Sequence, residues 1–420
     1  MKRTKQRTSL LLGFALLAGL AAAFGIKGAS ESFSAYSPIP AAAKELAATS
    51  SEAPVELRIL AVISPEEWLI AEYERLYPDR KIVWEQAAIG EDFIHKLAAD
   101  PAPDIIIAEN AQANDLVAFD LFEDLGQAPY KAAERIQNDW FNGLTLSPFR
   151  SLDGQSLIAI PKDYPMMGTF YRADILAQYG FPAEPEALAT FMEDPANWLR
   201  MAKTLQAAGH SIMTNGTDIL NLGAAGKGFF TPQGGYARNT PDLIPIASVM
   251  LEAEQAQLPS FLNMWDELGQ QAIRDEKLIM LYMGEWGGDL LKEWDPEHAD
   301  QWAFTRLPFN AYAVHGGTYY AILEASANKK AAWDYIRLSL EQETNYRENR
   351  PGWKWMAEMN DYWPSPLAGT AEEIWYKHMY EPRPAGLTAT QLLSAIKART
   401  MEKLGGELQV LREVVQTHGE

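Results

Sequence analysis

From residue 57 onward the chain alternates short, apolar runs with amphipathic segments, and this alternation limits its fold more than any other feature. An apolar run too short for a helix is a strand covered on both faces, and the amphipathic segment after it supplies a covering helix. The pattern therefore predicts βαβ units around mostly parallel sheets, an α/β fold. Residues 57–62 read as the first strand. Ser64 reads as a helix cap, with Pro65 in the first helical position and Glu67 completing a capping box. Leu69, Tyr73, Leu76 and Tyr77 share one face before Pro78 stops the helix. Strands at 81–85 and 105–108 enclose a helix at 91–98 that turns Phe93, Ile94 and Leu97 inward. Further on, helices are expected at 174–179, 197–208, 243–256, 264–274 and 329–340, and strands at 155–160, 168–171, 278–283, 302–307 and 319–323. Residues 344–384 carry Trp353, Trp355, Trp363 and Trp375 among Pro351, Pro364 and Pro366, too aromatic for a linker and too interrupted for one helix; 388–404 is a closing helix.

At 420 residues the chain calls for two or three packed units or one large α/β body. Its 36 Lys and Arg against 56 Asp and Glu give a net charge of −20, a field that repels nucleic acid, so no nucleic-acid partner is expected. The absence of cysteine removes disulfides, thiolate metal sites, cysteine nucleophiles and cysteine-linked lipids. At the N-terminus Lys2, Arg3, Lys5 and Arg7 precede an uncharged run at 9–26, the layout of an export signal or of an uncleaved anchor, here assigned to residues 1–30. Residues 31–55 read as a flexible tether. The protein is thus expected outside the cytoplasm, periplasmic or held at the cell surface.

Common catalytic signatures are missing. The six histidines are scattered with no HExxH, and there is neither a GxSxG elbow nor a GxGxxG fingerprint. The Gly-Ala-Ala-Gly-Lys-Gly run at 223–228 lacks phosphate-loop spacing and reads as a surface loop. Acid pairs such as Glu66/Glu67 and Glu372/Glu373 read as solvated faces. What stands out is 13 Trp, many beside Asp, Glu, Asn, Arg or Gly. A pyranose offers an apolar face to an indole and a rim of hydroxyls to carboxylates and amides, so this mixture suits a carbohydrate. Trp286 and the Trp353–Trp355 pair are the candidates for ligand contact; Trp84, Trp140, Trp198, Trp265 and Trp333 read as core.

Several segments, taken in order, resemble the exported solute-binding proteins of ABC importers, in their carbohydrate-binding branch. They are Leu57-Arg-Ile-Leu60, Pro103-Asp-Ile-Ile-Ile107, Ala159-Ile-Pro161-Lys-Asp163-Tyr164, Gly168-Thr-Phe-Tyr-Arg-Ala-Asp174, Leu281-Tyr-Met-Gly-Glu285-Trp286, Gly316-Gly317 with Tyr320-Ala-Ile, and Asn328-Lys-Lys-Ala-Ala-Trp-Asp-Tyr335. The resemblance implies a two-lobed, periplasmic-binding-protein-like fold of type II, with each lobe a mostly parallel sheet flanked by helices and a ligand cleft between them. On that pattern 56–160 with 315–340 form lobe 1, and 161–314 with 341–420 form lobe 2. It also implies site roles. Asp163 and Tyr164 resemble crossover residues that reach the ligand, Glu109 and Asn110 the loop after the third strand, and Glu285–Trp286 the stacking position. Gly316 and Gly317 resemble glycines of close backbone approach, and Pro351-Gly352-Trp353, followed by Trp355, resembles a segment entering the cleft.

The function implied is capture of a sugar or oligosaccharide by hinge closure and its delivery to ABC permease subunits, by a monomer that is not an enzyme and needs no cofactor or metal. Three alternatives stay open at this point: the same fold binding a polyamine or another small solute, a sugar sensor for a membrane kinase, and an exported carbohydrate-active enzyme working with two carboxylates.

Overall fold

The computed structural model describes residues 55–418, apart from 89, 111–113, 115–116, 118–120, 142 and 349. The export signal or anchor at 1–30 and nearly all of the tether at 31–55 lie outside the described residues. Two sheets organise the rest. The first has the order β2-β1-β3-β8-β4, with β1 at Val55–Ala61, β2 at Arg80–Gln86, β3 at Ile105–Glu109, β4 at Ile160–Pro161 and β8 at Thr318–Ile322. The second has the order β6-β5-β7, from Met280–Gly284, Met167–Arg172 and Trp302–Thr305. The apolar run Ile105–Ala108 is buried on both faces, as its lack of alternation requires.

The expectation of mostly parallel sheets is corrected. Among these strands only β1 pairs in parallel, with β2 and β3; β8 runs antiparallel to both β3 and β4, and β5 runs antiparallel to both β6 and β7. The reason is topological: β8 returns to the first sheet from the second, so it enters from the opposite end. The expected strand at 155–160 shrinks to Ile160–Pro161, because Leu157 is occupied by a single bridge to Arg150.

Several helix boundaries also move. The first helix is Glu67–Leu76, with Glu66 rather than Ser64 at its N-cap and no side-chain cap, because the Glu66 carboxylate instead faces the buried ammonium of Lys162 at 3.1 Å. The run at 223–228 is not all loop, since Gly223 and Ala224 end the helix Thr217–Ala224. Helices Pro185–Met192, Gly287–Trp294 and Ala368–Tyr380 were not expected. The closing helix continues to His418, well past its expected end.

Each sheet has its own core. The first gathers β1, β3, β8 and the helix Lys329–Glu348 around Tyr73, Phe93, Ile106, Tyr320 and Ile336. The second gathers Trp198, Leu220, Met250, Trp375 and Leu393 on one face of β5–β6, while Ile273, Leu281 and Leu291 cover the other. Residues 353–359, assigned to the second lobe from sequence, send Trp355 and Met356 into the first core.

A buried ion pair ties the first core together. Arg80, at the start of β2, meets Asp334 at 3.0 Å and lies over the Tyr77 ring at 4.1 Å, while the Tyr73 hydroxyl donates to the Ala331 carbonyl. Removing one partner leaves a buried charge uncompensated. Asp334→Ala should therefore cost about 3–5 kcal/mol, read as a lower urea midpoint at unchanged slope.

Candidate functional site

The site is built where the chain passes between the two sheets. The first passage, 161–167, lies antiparallel to the second, 313–318: the N–H groups of Met167 and His315 donate to the carbonyls of Ala313 and Pro165, and those of Lys162 and Asp163 donate to Thr318. Asn110, at the end of β3, stitches the pair. Its backbone N–H donates to Gly317 at 3.0 Å, and its side-chain amide donates to the carbonyls of Asp163 at 3.1 Å and Gly316 at 3.2 Å. The Asn110 side-chain amide oxygen Oδ1 is buried and without a partner among the described residues. The Asp163 carboxylate accepts the N–H of Thr318, fixing the start of β8. Gly317 allows this convergence: its φ is +79°, and an added Cβ would lie 2.6 Å from Pro165 and 2.7 Å from Asn110 and the Asp163 carbonyl.

A third passage enters at Gly352. Its N–H donates to the Glu285 carboxylate at 3.0 Å, Arg350 lies 3.5 Å from the same carboxylate, and the Glu285 N–H donates to Met166. Burial pushes the Glu285 carboxyl above its usual range, with the Gly352 N–H and Arg350 pulling it back. Glu285 therefore holds the third passage against the first. Next to it, the Trp286 indole N–H donates to the His315 carbonyl at 2.9 Å, and its ring lies 5.3 Å from the His315 imidazole and 6.0 Å from Trp265. Trp265 is a correction to its expected core role, being 44% exposed with its edge against Trp294. It lies in the short loop before the helix Glu267–Arg274, where the Asp266 carboxylate caps Gly269 and leaves the indole outward.

Asn110, Asp163, Glu285, Trp286, Gly316 and Gly317 thus form one contiguous network. The other expected residues sit around it. Glu109 is exposed at the tip of β3, in register with Thr318. Tyr164 is buried in the first core against Phe149, and burial with the neighbouring Tyr362 pushes its hydroxyl far above the usual tyrosine range. Trp353 is half-buried, 5.9 Å from Phe141. Trp355, expected to contact the ligand, is instead 7% exposed because Phe304 of β7 covers it at 5.4 Å.

Sequence reasoning missed several residues. The Glu66–Lys162 pair joins the loop after β1 to the end of β4, but acids followed by an apolar helix face look solvated in a linear sequence. His315, as a lone histidine, carries no spacing signal in the sequence. Gly226 and Gly228 mark a second close approach, to the Tyr312 carbonyl and to Tyr362, and Arg238 braces that loop by donating to the Lys227 carbonyl while lying 3.6 Å over the Phe229 ring. Tyr362 and Trp363 continue the third passage, with the Trp363 indole donating to Leu152 and the Tyr362 N–H to Ser147.

A family model described as bacterial extracellular solute-binding protein matches residues 68–349. The lactose-binding protein of Rhizobium radiobacter is 27% identical over 203 residues, covering 44% of this chain and 46% of that protein, so the chain matches about half the length of this curated relative. Among solved structures, the galacto-N-biose/lacto-N-biose I-binding protein of an ABC transporter from Bifidobacterium longum, in complex with lacto-N-biose, superposes with a TM-score of 0.60 at 17% identity, over 85% of this chain and 98% of that one. The GacH receptor of Streptomyces glaucescens, solved unliganded and with acarbose, superposes with a TM-score of 0.60 at 14% identity, over 84% and 98%. At these identities the likeness is one of fold.

The Gly317 geometry gives a direct check on the crossing. Gly317→Ala should lower stability by about 2–4 kcal/mol, since it adds left-handed strain to a clash with backbone that cannot yield. The same change at Gly154, which has positive φ but open space around it, should cost about 1 kcal/mol. Denaturant titration of the two variants reads the difference.

Proposed function

The chain belongs to the bacterial extracellular solute-binding proteins, and on that premise we propose that it captures a sugar or oligosaccharide between its two lobes and hands it to the membrane subunits of an ABC importer. The observation that carries this reading is the pairing of charges at the crossings, together with the indole surface of the exposed Trp265 and the half-buried Trp286. Glu285 is matched by Arg350, Glu66 by Lys162, and Asp163 is held by Thr318, so the acidic groups at the crossings are engaged with protein donors while Trp265 and Trp286 present apolar ring surface. A polyamine needs carboxylates left over for its ammonium groups, and an anion needs a surplus of donors. Neutral, hydroxyl-bearing rings need apolar faces bordered by amides and partly satisfied carboxylates, which is the balance found here. The sugar-binding relatives support the same ligand class.

The protein acts by binding rather than by catalysis. A ligand shifts the lobes toward closure only through contacts it makes better in the closed arrangement, and the three passages supply the hinge about which that happens. An exported setting agrees with the family, and no helix among the described residues is long and apolar enough to cross a membrane.

Calorimetric titration with lactose, lacto-N-biose and maltose, and with putrescine and spermidine in parallel, tests the assignment. At least one sugar should bind, and Trp286→Ala should weaken it tenfold or more, about 1.4 kcal/mol. Binding of a polyamine with none of the sugars would overturn the ligand class while leaving the family untouched.

A further inference from the structure

We propose that His315 is the positioning residue for Trp286, and that its neutral imidazole makes ligand capture sensitive to acid. The inference rests on the reading of Trp286 as a ligand-facing ring. The His315 imidazole Nδ1 lies 3.2 Å from the backbone nitrogen of Gly284, and because that nitrogen carries a hydrogen, Nδ1 is the acceptor and the ring is neutral with its proton on Nε2. The same residue accepts the Trp286 indole N–H through its carbonyl, packs its ring on that indole, and donates its own N–H to Pro165. One residue on the second passage thus holds both: its imidazole accepts at the end of β6, and its backbone carbonyl, with the ring alongside, anchors the indole that follows. Gly284 leaves no slack, since a Cβ there would lie 2.2 Å from the Trp286 Nε1 and 2.8 Å from the His315 carbonyl.

Protonation of Nδ1 turns the acceptor into a donor aimed at another donor. Burial holds the His315 pKa below its usual value. The ionisable groups on the segments packed against it are Glu285 with Arg350, Asp163, Lys162 with Glu66, and Glu109 in register with Thr318: Glu285 is engaged with Gly352 and Arg350, Asp163 with Thr318, and Lys162 with Glu66. The sign follows. A buried base with a lowered pKa leaves the contact intact near neutrality; below the ordinary histidine pKa of about 6.5 the unfolded chain protonates first, so stability falls with pH until the folded ring protonates as well.

The test uses the full-length chain with isotope-labelled indole nitrogens, the Trp286 resonance being identified by its loss in Trp286→Phe. In the wild type that resonance should move with a one-proton titration whose midpoint lies below about 6.5. In His315→Asn, which keeps an oxygen acceptor near the Nδ1 position without titrating, it should stay fixed. Lactose affinity in the wild type should be flat near neutrality and fall by up to tenfold per pH unit below the midpoint, and should be flat throughout in His315→Asn. A wild-type indole that does not move, or one that moves equally in His315→Asn, overturns the proposal. Should the Asn variant fail to fold, the His315 imidazole and Trp286 indole titrations of the wild type must share one midpoint, and two different midpoints overturn it. If the indole titrates but lactose affinity does not follow, the link to ligand capture is overturned; if lactose binds at no pH while the indole titrates, the positioning role stands and the choice of sugar fails.

Discussion

The close contact of two chain passages at Gly317 and Asp163 governs the rest of this molecule. Each sheet has its own core, and the two are joined where the chain goes across. There the backbone groups of 161–167 and 313–318 bond to each other, and Asn110 donates to both. Burying backbone without partners is costly, so such a crossing is stable only if its N–H and C=O groups find one another. A side chain at 317 would push the passages apart. A third passage is then held against the first through Glu285 and Gly352, which places Trp286 at the seam rather than on either lobe alone.

That placement links structure to ligand choice. A ring stacked on Trp286 touches a residue whose indole is anchored to one passage and whose neighbour anchors another. On the proposed reading, ligand contact at Trp286 and interlobe geometry would be coupled through these few hydrogen bonds, without any long relay. The Glu285 carboxylate next to Trp286 and the Glu66 carboxylate at the first passage are each matched by a cation of the protein, which is why the proposed site takes a neutral ligand despite the strongly negative whole-chain charge. What remains for a ligand to gain is apolar contact and hydrogen bonds to partly used acceptors, and hydroxyl-rich rings provide both.

Sequence carried the fold further than the site. Continuous apolar runs such as Ile105–Ala108 and amphipathic stretches such as Leu69–Tyr73 announce buried strands and covering helices wherever their period is clean, and the two lobes followed from the resemblance. Strand direction in β8 and in the second sheet was not legible, because direction depends on which lobe the chain arrives from. Gly317 and Asp163 were legible through the resemblance alone, which implies a close-approach glycine and a crossover acid at those positions. The Glu66–Lys162 pair and the burial of Trp355 were not, for each depends on a partner far away in the chain: Lys162 draws the Glu66 carboxylate away from capping the helix, and Phe304 closes over Trp355. Helices Pro185–Met192 and Ala368–Tyr380 were hidden by prolines that turn out to lie at or before their first turns.

The central claim is that a sugar is held at the seam and draws the lobes together about the three passages. Small-angle X-ray scattering of the protein with and without saturating lactose, with occupancy established on the same sample by calorimetry, tests it most directly. The account predicts a smaller radius of gyration and a shorter maximum dimension when the sugar is bound; an unchanged scattering profile at proven full occupancy would contradict it.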